Sequence, residues 1–241
     1  MVVVLGIATV AMAGSVNASL AAVTTPPAVA AIEPANGDTV GVGYPVTVTF
    51  ATPVANRAIA ERSIAIDAAE SPGAQFVWLS DNAVQVKPDG FWPAHSKIAV
   101  TAGGAATSFQ TGAAVVGVAD LSAHTFTVSI DDQVIREMPA SMGKPKYPTP
   151  IGSFSALEKQ RTVTFDSRTI GIPLSDPEGY LIKGEYAVRV TWGGVYVHSA
   201  PWSVGSQGYA NVSHGCINLS PDNAAWYFDM VHVGDPIIVR A

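Results

Sequence analysis

The sequence has little cysteine and little charge. Cys216 is the only cysteine among 241 residues, and charged side chains make up 13% of the chain. A single cysteine cannot form an internal disulfide. Lysine and arginine number 13 against 19 aspartate and glutamate residues, and no cluster of basic side chains could neutralise a run of phosphates. The composition therefore argues against nucleic-acid binding.

Basic residues are also missing from the first part of the chain, where Arg57 is the first. The opening stretch is apolar and rich in small residues, which is typical of a secretion signal and its cleavage site. We therefore expect residues 1–23 to be a signal segment, residues 24–31 to be a linker, and the protein to be exported to the periplasm or cell wall. The alternative is an uncleaved segment that holds the protein at the membrane, although Gly14, Ser15 and Asn17 interrupt a run of marginal length.

Residues 32–117 contain short runs in which apolar and polar residues alternate between turn signals. In one of them Val46, Val48 and Phe50 alternate with threonines. Such runs are typical of strands with one buried face, so this part is predicted to be a small β-sandwich. It carries no recognisable nucleophile, metal-ligand set or phosphate loop, which favours a spacer or docking role.

Residues 118–241 contain a second group of strand-like runs, so the whole chain is predicted to be mostly β. Residues 161–190 are rich in glycine, proline and polar residues and are predicted to be a long connection that serves as a functional lid. A strand is expected to end at His198. Ser220 and Pro221 are typical of the first positions of a helix, so a short helix should follow the cysteine.

The lone cysteine lies in a Ser-His-Gly-Cys sequence downstream of His198. An imidazole or backbone N–H groups can lower the pKa of a thiol and make it a nucleophile. Gly215 allows a sharp turn that could direct nearby amides towards an oxyanion. The Ser199 carbonyl could fix the tautomer of His198. Without further context, a buried thiol and an unrelated histidine would be the simpler interpretation.

The stretch from His198 to Asn218 resembles the His, Ser-His-Gly-Cys and Asn signature of the L,D-transpeptidases, whose catalytic domain is YkuD-like. The YPTPIGSF sequence at 147–154 and the lid with Tyr180 are also similar to that family. The sandwich at 32–117 resembles the immunoglobulin-like domain that mycobacterial-type members place before a catalytic domain, here 118–241. The chain departs from the pattern at Ile170, where some members have a tyrosine.

The resemblance implies that Cys216 attacks the carbonyl of the third residue of a peptidoglycan stem tetrapeptide and releases the terminal D-Ala. The amine of a second stem would then resolve the thioester into a 3→3 cross-link. His198 would be the base and acid, oriented by Ser199, and His214 and Gly215 would frame the oxyanion hole with Cys216. The residues expected to contact substrate are Tyr180, Gly193, Gly194, Trp202, Ser213 and Asn218.

The same resemblance implies a monomer that needs no metal and no organic cofactor, with stem peptides as substrates and carbapenem β-lactams as covalent inhibitors. Three alternatives stay open. Water could resolve the thioester, which would make the protein an L,D-carboxypeptidase. The chain could be a catalytically idle wall-binding module. A zinc hydrolase built on His198, His214 and Cys216 is disfavoured, because no carboxylate lies between them to act as base.

Overall fold

The computed structural model describes residues 25–69 and 72–241, which form two β-rich parts in chain order. The predicted signal segment at 1–23 lies outside the described residues. Within the described ranges no helix is long and apolar enough to cross a membrane. The prediction of a mostly β chain with a sandwich followed by a second β-rich domain is confirmed.

The first part is a sandwich of two four-stranded sheets, ordered β1-β3-β6-β5 and β2-β8-β7-β4. Its core is built by alternation: Val46, Val48 and Phe50 are fully buried, while the threonines between them are partly exposed. The elements are β1 (Val29–Glu33), β2 (Thr39–Val40), β3 (Val46–Phe50), helix α1 (Arg57–Arg62), β4 (Ile64–Asp67), β5 (Ala74–Trp78), β6 (Ala83–Pro88), β7 (Lys97–Ala102) and β8 (Ala105–Thr111).

The second part contains a five-stranded sheet, β11-β10-β9-β17-β12, and a four-stranded sheet, β13-β14-β15-β16. The apolar core includes Phe126, Met138, Val197 and Ile217. The elements are β9 (Val115–Asp120), β10 (Thr125–Ile130), β11 (Gln133–Pro139), β12 (Gly152–Ser155), β13 (Glu158–Asp166), β14 (Leu181–Arg189), β15 (Tyr196–Ser199), β16 (Ile217–Leu219), helix α2 (Pro221–Met230) and β17 (Pro236–Arg240).

Both predicted borders of the sandwich fall inside strands. The linker was placed at 24–31, but β1 begins at Val29 and pairs with β3. The border at 117/118 falls within β9, which pairs with β10 and β17 of the second part. In the sequence, Gly117 suggests a boundary between two groups of strands. In the structure, however, a Cβ at Gly117 would lie 2.6 Å from the Phe126 ring, so the glycine makes room for a core side chain.

The connection predicted at 161–190 is shorter in the structure. β13 and β14 form a long antiparallel hairpin, in which Thr162 pairs with Glu185 and Asp166 with Leu181. Only residues 167–180 connect the two strands, and these include a short 3-10 helix at Ser167–Ile170. Polar residues dominate the hairpin because much of it is exposed, which made its strands look like loop in the sequence. We call residues 167–180 the lid.

Helix α2 begins where the sequence predicts. The Ser220 hydroxyl accepts a hydrogen bond from the Asn223 N–H at 3.4 Å, Pro221 occupies the first turn, and Asp222 places a carboxylate at the positive end of the helix. The helix starts directly after β16 and packs on β14 and β15. It therefore supports the strands that carry the candidate site from behind.

The two parts meet through backbone hydrogen bonds. The Gly41 N–H donates to the Val233 carbonyl at 3.0 Å, and the Gly43 N–H donates to the Gly234 carbonyl at 2.8 Å. Both glycines follow β2 of the sandwich, and both acceptors lie in the turn before β17. Asp235 is fully buried at this junction, and burial raises the pKa of its carboxyl to about 7.

Candidate active site

The candidate site is built on two neighbouring parallel strands. In β15 and β16, Val197 pairs with Ile217 and His198 pairs with Asn218. Because side chains alternate along a strand, His198 and Asn218 face one side of the sheet while Val197 and Ile217 face the core. Cys216, Asn218 and His198 all line a pocket of about 560 Å³. The seventeen residues between His198 and Cys216 therefore form a crossover that returns the chain beside its own strand.

Hydrogen bonds fix the turn that presents Cys216. The Ser213 hydroxyl donates to the Cys216 carbonyl at 2.7 Å and accepts from the Gly215 N–H at 3.0 Å. The Thr149 hydroxyl donates to the Gly215 carbonyl at 2.9 Å. Gly215 has a φ of +116°, a conformation that favours glycine. The Gly215 amide was a predicted oxyanion donor, but it is occupied by Ser213 in this structure.

The thiol of Cys216 is not acidified by its surroundings. Its Sγ lies 3.6 Å from the Gly194 carbonyl, to which the S–H can donate. Burial raises the pKa of Cys216 to about 11 and outweighs an opposing backbone hydrogen bond at Tyr196. The sequence indicates an imidazole and backbone N–H groups that could lower this pKa. In the substrate-free structure burial acts in the opposite direction, which favours the neutral thiol.

His198 is buried and neutral. Its Nδ1 lies 2.8 Å from the Ser199 carbonyl, which can only accept, so the ring proton is on Nδ1 and Nε2 is unprotonated. Burial lowers the pKa of His198 to about 4 and outweighs the hydrogen bonds to Ser199 and Asn218. Phe165 and Trp202 pack beside the imidazole, with ring centroids 4.5 Å and 5.9 Å away. The ring is therefore held in the tautomer that a general base requires.

Asn218 is held by a residue that the sequence did not single out. Its amide Nδ2 donates to the Ser203 hydroxyl at 3.2 Å, and both residues are buried in the pocket wall. Phe165 and Thr149 were also missed as site residues, although Thr149 lies in the YPTPIGSF sequence. Their contacts join distant parts of the chain, so no local spacing indicates them.

The lid closes one side of the pocket. Tyr180 lines it, and its ring centroid lies 5.1 Å from that of His214. Burial raises the pKa of Tyr180 to about 12, so its hydroxyl is a donor at neutral pH. Ile170 lies in the 3-10 helix of the lid but is not among the residues that line the pocket.

The structure brings most of the predicted site residues together. Gly193 is the exception: it belongs to the same turn as Gly194 but does not line the pocket or bond to the thiol. The predicted residues that line the pocket are Tyr180, His198, Trp202, Ser213, His214, Cys216 and Asn218. Ser199, Gly194 and Gly215 contribute backbone atoms instead.

The other histidines are elsewhere. His95 Nε2 lies 2.9 Å from an Asp131 carboxylate oxygen, and His124 Nδ1 lies 3.0 Å from the Asn211 side-chain oxygen. His232 is in the turn before β17. In the described part of the chain, no three His, Cys, Asp or Glu side chains are grouped closely enough to hold a metal ion.

A thiol in the turn before β16 and a neutral imidazole on the adjacent parallel strand β15, beneath a hairpin lid, define a candidate site of the cysteine-dependent enzyme class. Comparison with known proteins identifies the family to which the chain belongs. The L,D-transpeptidase catalytic domain model, YkuD, matches residues 114–239, and the bacterial Ig domain model, Big_10, matches residues 10–108. The chain belongs to the L,D-transpeptidase family and carries an immunoglobulin-like domain before the catalytic domain.

The relatives match nearly the whole described chain. L,D-transpeptidase 1 of Mycobacterium tuberculosis is 61% identical over 213 residues, which cover 88% of this chain and 85% of the relative. A solved L,D-transpeptidase from Mycobacterium smegmatis is 66% identical, covers 90% of this chain and 100% of its own, and superposes with a TM-score of 0.86. The LD transpeptidase LdtMt1, solved in complex with imipenem, is 61% identical, covers 89% and 99%, and has a TM-score of 0.84.

Proposed function

We propose that this enzyme forms 3→3 cross-links between peptidoglycan stem peptides through a thioester on Cys216. The observation that carries the proposal is that the only thiol lines the same pocket as an imidazole whose proton is held on Nδ1 by the Ser199 carbonyl. The unprotonated Nε2 of His198 can then take a proton from the reacting group. The donor is a stem tetrapeptide, and the first product released is its terminal D-Ala.

In the first step the Cys216 sulfur attacks the carbonyl carbon of the third stem residue, and the S–H proton passes to His198 Nε2. The carbonyl oxygen gains negative charge, which N–H groups of the turn before β16 stabilise. The bond from this carbonyl carbon to the D-Ala nitrogen then breaks, and the proton on Nε2 moves to that nitrogen. D-Ala departs as the free amino acid, and Cys216 holds the rest of the donor as a thioester.

In the second step the amine of another stem attacks the thioester carbon and gives its proton to His198. The carbon–sulfur bond breaks, the proton returns to sulfur, and a new peptide bond joins the two stems. Neither step requires thiolate in the free enzyme. The raised pKa of Cys216 and the lowered pKa of His198 both keep the pair neutral until a carbonyl is in place to be attacked.

One alternative is that water hydrolyses the same thioester. The other is that the protein is a wall-binding module without catalytic activity. Mass analysis of products from a purified disaccharide-tetrapeptide separates the three. A cross-linked dimer supports transpeptidation, a tripeptide monomer indicates a carboxypeptidase, and unchanged substrate indicates an idle module.

The nucleophile is tested with imipenem, because a strained lactam carbonyl reacts with a thiol as a stem carbonyl does. The complex of imipenem with LdtMt1 supports the choice of probe. Intact-mass measurement should show one adduct per chain, which maps to the peptide with Cys216 and is absent in Cys216→Ala. In His198→Ala the adduct should form roughly a hundredfold more slowly, since a general base is lost. An adduct that persists in Cys216→Ala would show that another group is the nucleophile.

We also propose that the enzyme acts as a monomer outside the cytoplasm, in the periplasm or cell wall. The chemistry of its substrate supports this location, because mature stem peptides are found there. Fractionation of cells with an antibody against the protein, together with light scattering of the purified chain, tests both statements.

A further inference from the structure

One carboxylate of the lid is surrounded by partners from outside the lid. Glu178 Oε1 lies 3.1 Å from Lys144 Nζ, and Glu178 Oε2 lies 3.3 Å from His214 Nε2 and 3.7 Å from Lys146 Nζ. The Glu178 and Lys144 side chains are 30% and 26% exposed, so this pair is partly shielded from water. Among the described residues that line the pocket, Glu178 is the only one with a carboxylate and Lys144 is the only lysine or arginine.

His214 lies between two tyrosines at the same place. Its ring centroid is 4.8 Å from that of Tyr147 and 5.1 Å from that of Tyr180. Burial and the nearby Lys144 lower the pKa of His214, so the ring is neutral. A neutral imidazole that contacts a carboxylate through Nε2 carries its proton there, so Glu178 fixes the His214 tautomer.

The residues that hold Glu178 also hold the turn that presents Cys216. The Lys144 N–H donates to the Ser213 carbonyl at 3.0 Å. The Gly143 N–H donates to the Thr149 hydroxyl, which in turn donates to the Gly215 carbonyl. The segment 143–149 therefore contacts the lid on one side and the cysteine turn on the other.

We propose that Glu178 is a positioning residue that fastens the lid to segment 143–149 and to His214, and so keeps water out of the pocket while the thioester waits for its acceptor amine. This inference rests on the proposed transpeptidation. Glu178 does not touch the reacting atoms. It affects how long the lid stays closed, and thus whether the acceptor amine or water reacts with the thioester.

The charges at this contact support a fastening role. The hydrogen bond from Lys144 and the charge of Lys146 lower the pKa of Glu178, which keeps it ionised at neutral pH. Tyr147 and the charge of Glu178 raise the pKa of Lys146. Two cations and one imidazole N–H thus converge on one carboxylate. In the described part of the chain, which includes the whole lid, no other lid side chain has an ion pair that leaves the lid and its flanking strands.

Hydrogen exchange of the substrate-free protein tests the fastening directly. In Glu178→Ala, backbone amides of residues 167–180 should exchange about threefold to tenfold faster, in line with the loss of a partly shielded ion pair and a hydrogen bond. Amides of β9 and β10 should be unchanged. Glu178→Gln should be intermediate, since its amide oxygen still accepts from His214. The matched control is Glu185→Gln, which removes an exposed carboxylate paired with Arg161 on the hairpin that carries the lid.

Lys144→Met removes the other partner of the same contact and should increase lid amide exchange by a similar factor. In the double variant of Glu178→Ala and Lys144→Met, the lid amides should exchange little faster than in either single variant. Unchanged lid exchange in Glu178→Ala and Lys144→Met would overturn the proposal. So would an equal increase in β9 and β10, because the effect would then be general destabilisation.

Product analysis distinguishes a positioning role from a merely structural one, because a purely structural role would leave the ratio of hydrolysis product to cross-linked product unchanged. With disaccharide-tetrapeptide, Glu178→Ala should raise the ratio of tripeptide monomer to dimer several-fold, and Glu178→Gln should restore part of the loss. An unchanged ratio would show that the lid contact does not govern access of water. If the parent protein forms neither dimer nor tripeptide, the proposed function fails instead, while the exchange result still decides the contact itself.

Discussion

At the scale of single residues, the site keeps its reactive pair uncharged. The pKa of Cys216 is raised to about 11 and that of His198 is lowered to about 4, both by burial. Thiolates are oxidised far more readily than thiols. The raised pKa therefore protects the lone, partly exposed Cys216 from oxidation and delays its ionisation until substrate arrives.

The buried imidazole also predicts how stability responds to acid. His198 is neutral in the folded and unfolded protein above about pH 6.5. Between there and about pH 4 the unfolded chain binds a proton that the folded site refuses, so folding is weakened as pH falls, by at most about 3 kcal/mol. Thermal unfolding of His198→Gln should show a smaller loss of stability over this range than the parent. Parallel curves for the two proteins would contradict the lowered pKa of His198.

The sequence indicated which residues form the reactive pair, Cys216 and His198, but not how their surroundings shift the pKa values. Cys216, His198 and the Ser199 carbonyl follow from a motif, and the structure places them at one pocket. Ser203 and Phe165 could not be predicted, because they reach Asn218 and His198 through tertiary contacts. The raised pKa of Cys216 could not be predicted, because the sequence does not reveal how far a group is removed from water.

At the scale of elements, the turn between β14 and β15 sets the environment of the thiol. Gly194 has a φ of +102°, and its carbonyl faces Cys216 Sγ. The hairpin before this turn was missed in the sequence since its exposed strands lack apolar alternation. By contrast, β15 and α2 were predicted, because a buried strand and a capped helix leave clear local patterns.

Adjacent glycines in this turn allow a matched comparison. A Cβ at Gly194 would have open space, but its left-handed backbone strains any L-residue by roughly 1–2 kcal/mol. Gly193 has no such conformation, and a Cβ there would be 3.6 Å from the Thr191 hydroxyl. Gly194→Ala should therefore slow imipenem acylation and lower the melting temperature, while Gly193→Ala should change neither. Equal behaviour of the two variants would show that the Gly194 conformation is not needed.

At the scale of the whole molecule, the immunoglobulin-like domain is joined to the catalytic domain by more than the chain. Gly41 and Gly43 donate backbone hydrogen bonds to the turn at 233–234, and Asp235 is buried beneath them. Because the pKa of Asp235 is raised from 3.8 to about 7, its contribution to stability is lost as pH rises through this interval. Its effect thus opposes that of His198.

The close approach of Gly41 predicts the result of adding a methyl group there. A Cβ at Gly41 would overlap the backbone of Gly234 and Asp235, so Gly41→Ala should push the domains apart and cost roughly 1–3 kcal/mol. Small-angle X-ray scattering should show a larger radius of gyration than for the parent. Gly112→Ala is the control, since a Cβ there has nothing within 4 Å. Identical scattering from both variants would mean that the interface tolerates the methyl group.

The place of β17 affects the order in which the protein can be made. β17 lies between β9 and β12, although it follows both in the chain. While a ribosome is still reading earlier codons, β9 to β11 have no strand that joins them to β12, and the five-stranded sheet of the catalytic domain stays in two pieces. The sandwich strands span residues 29–111 and are complete long before. All strands of the immunoglobulin-like domain are thus synthesised first, and the five-stranded sheet of the catalytic domain can close only after residues 236–240 have been added.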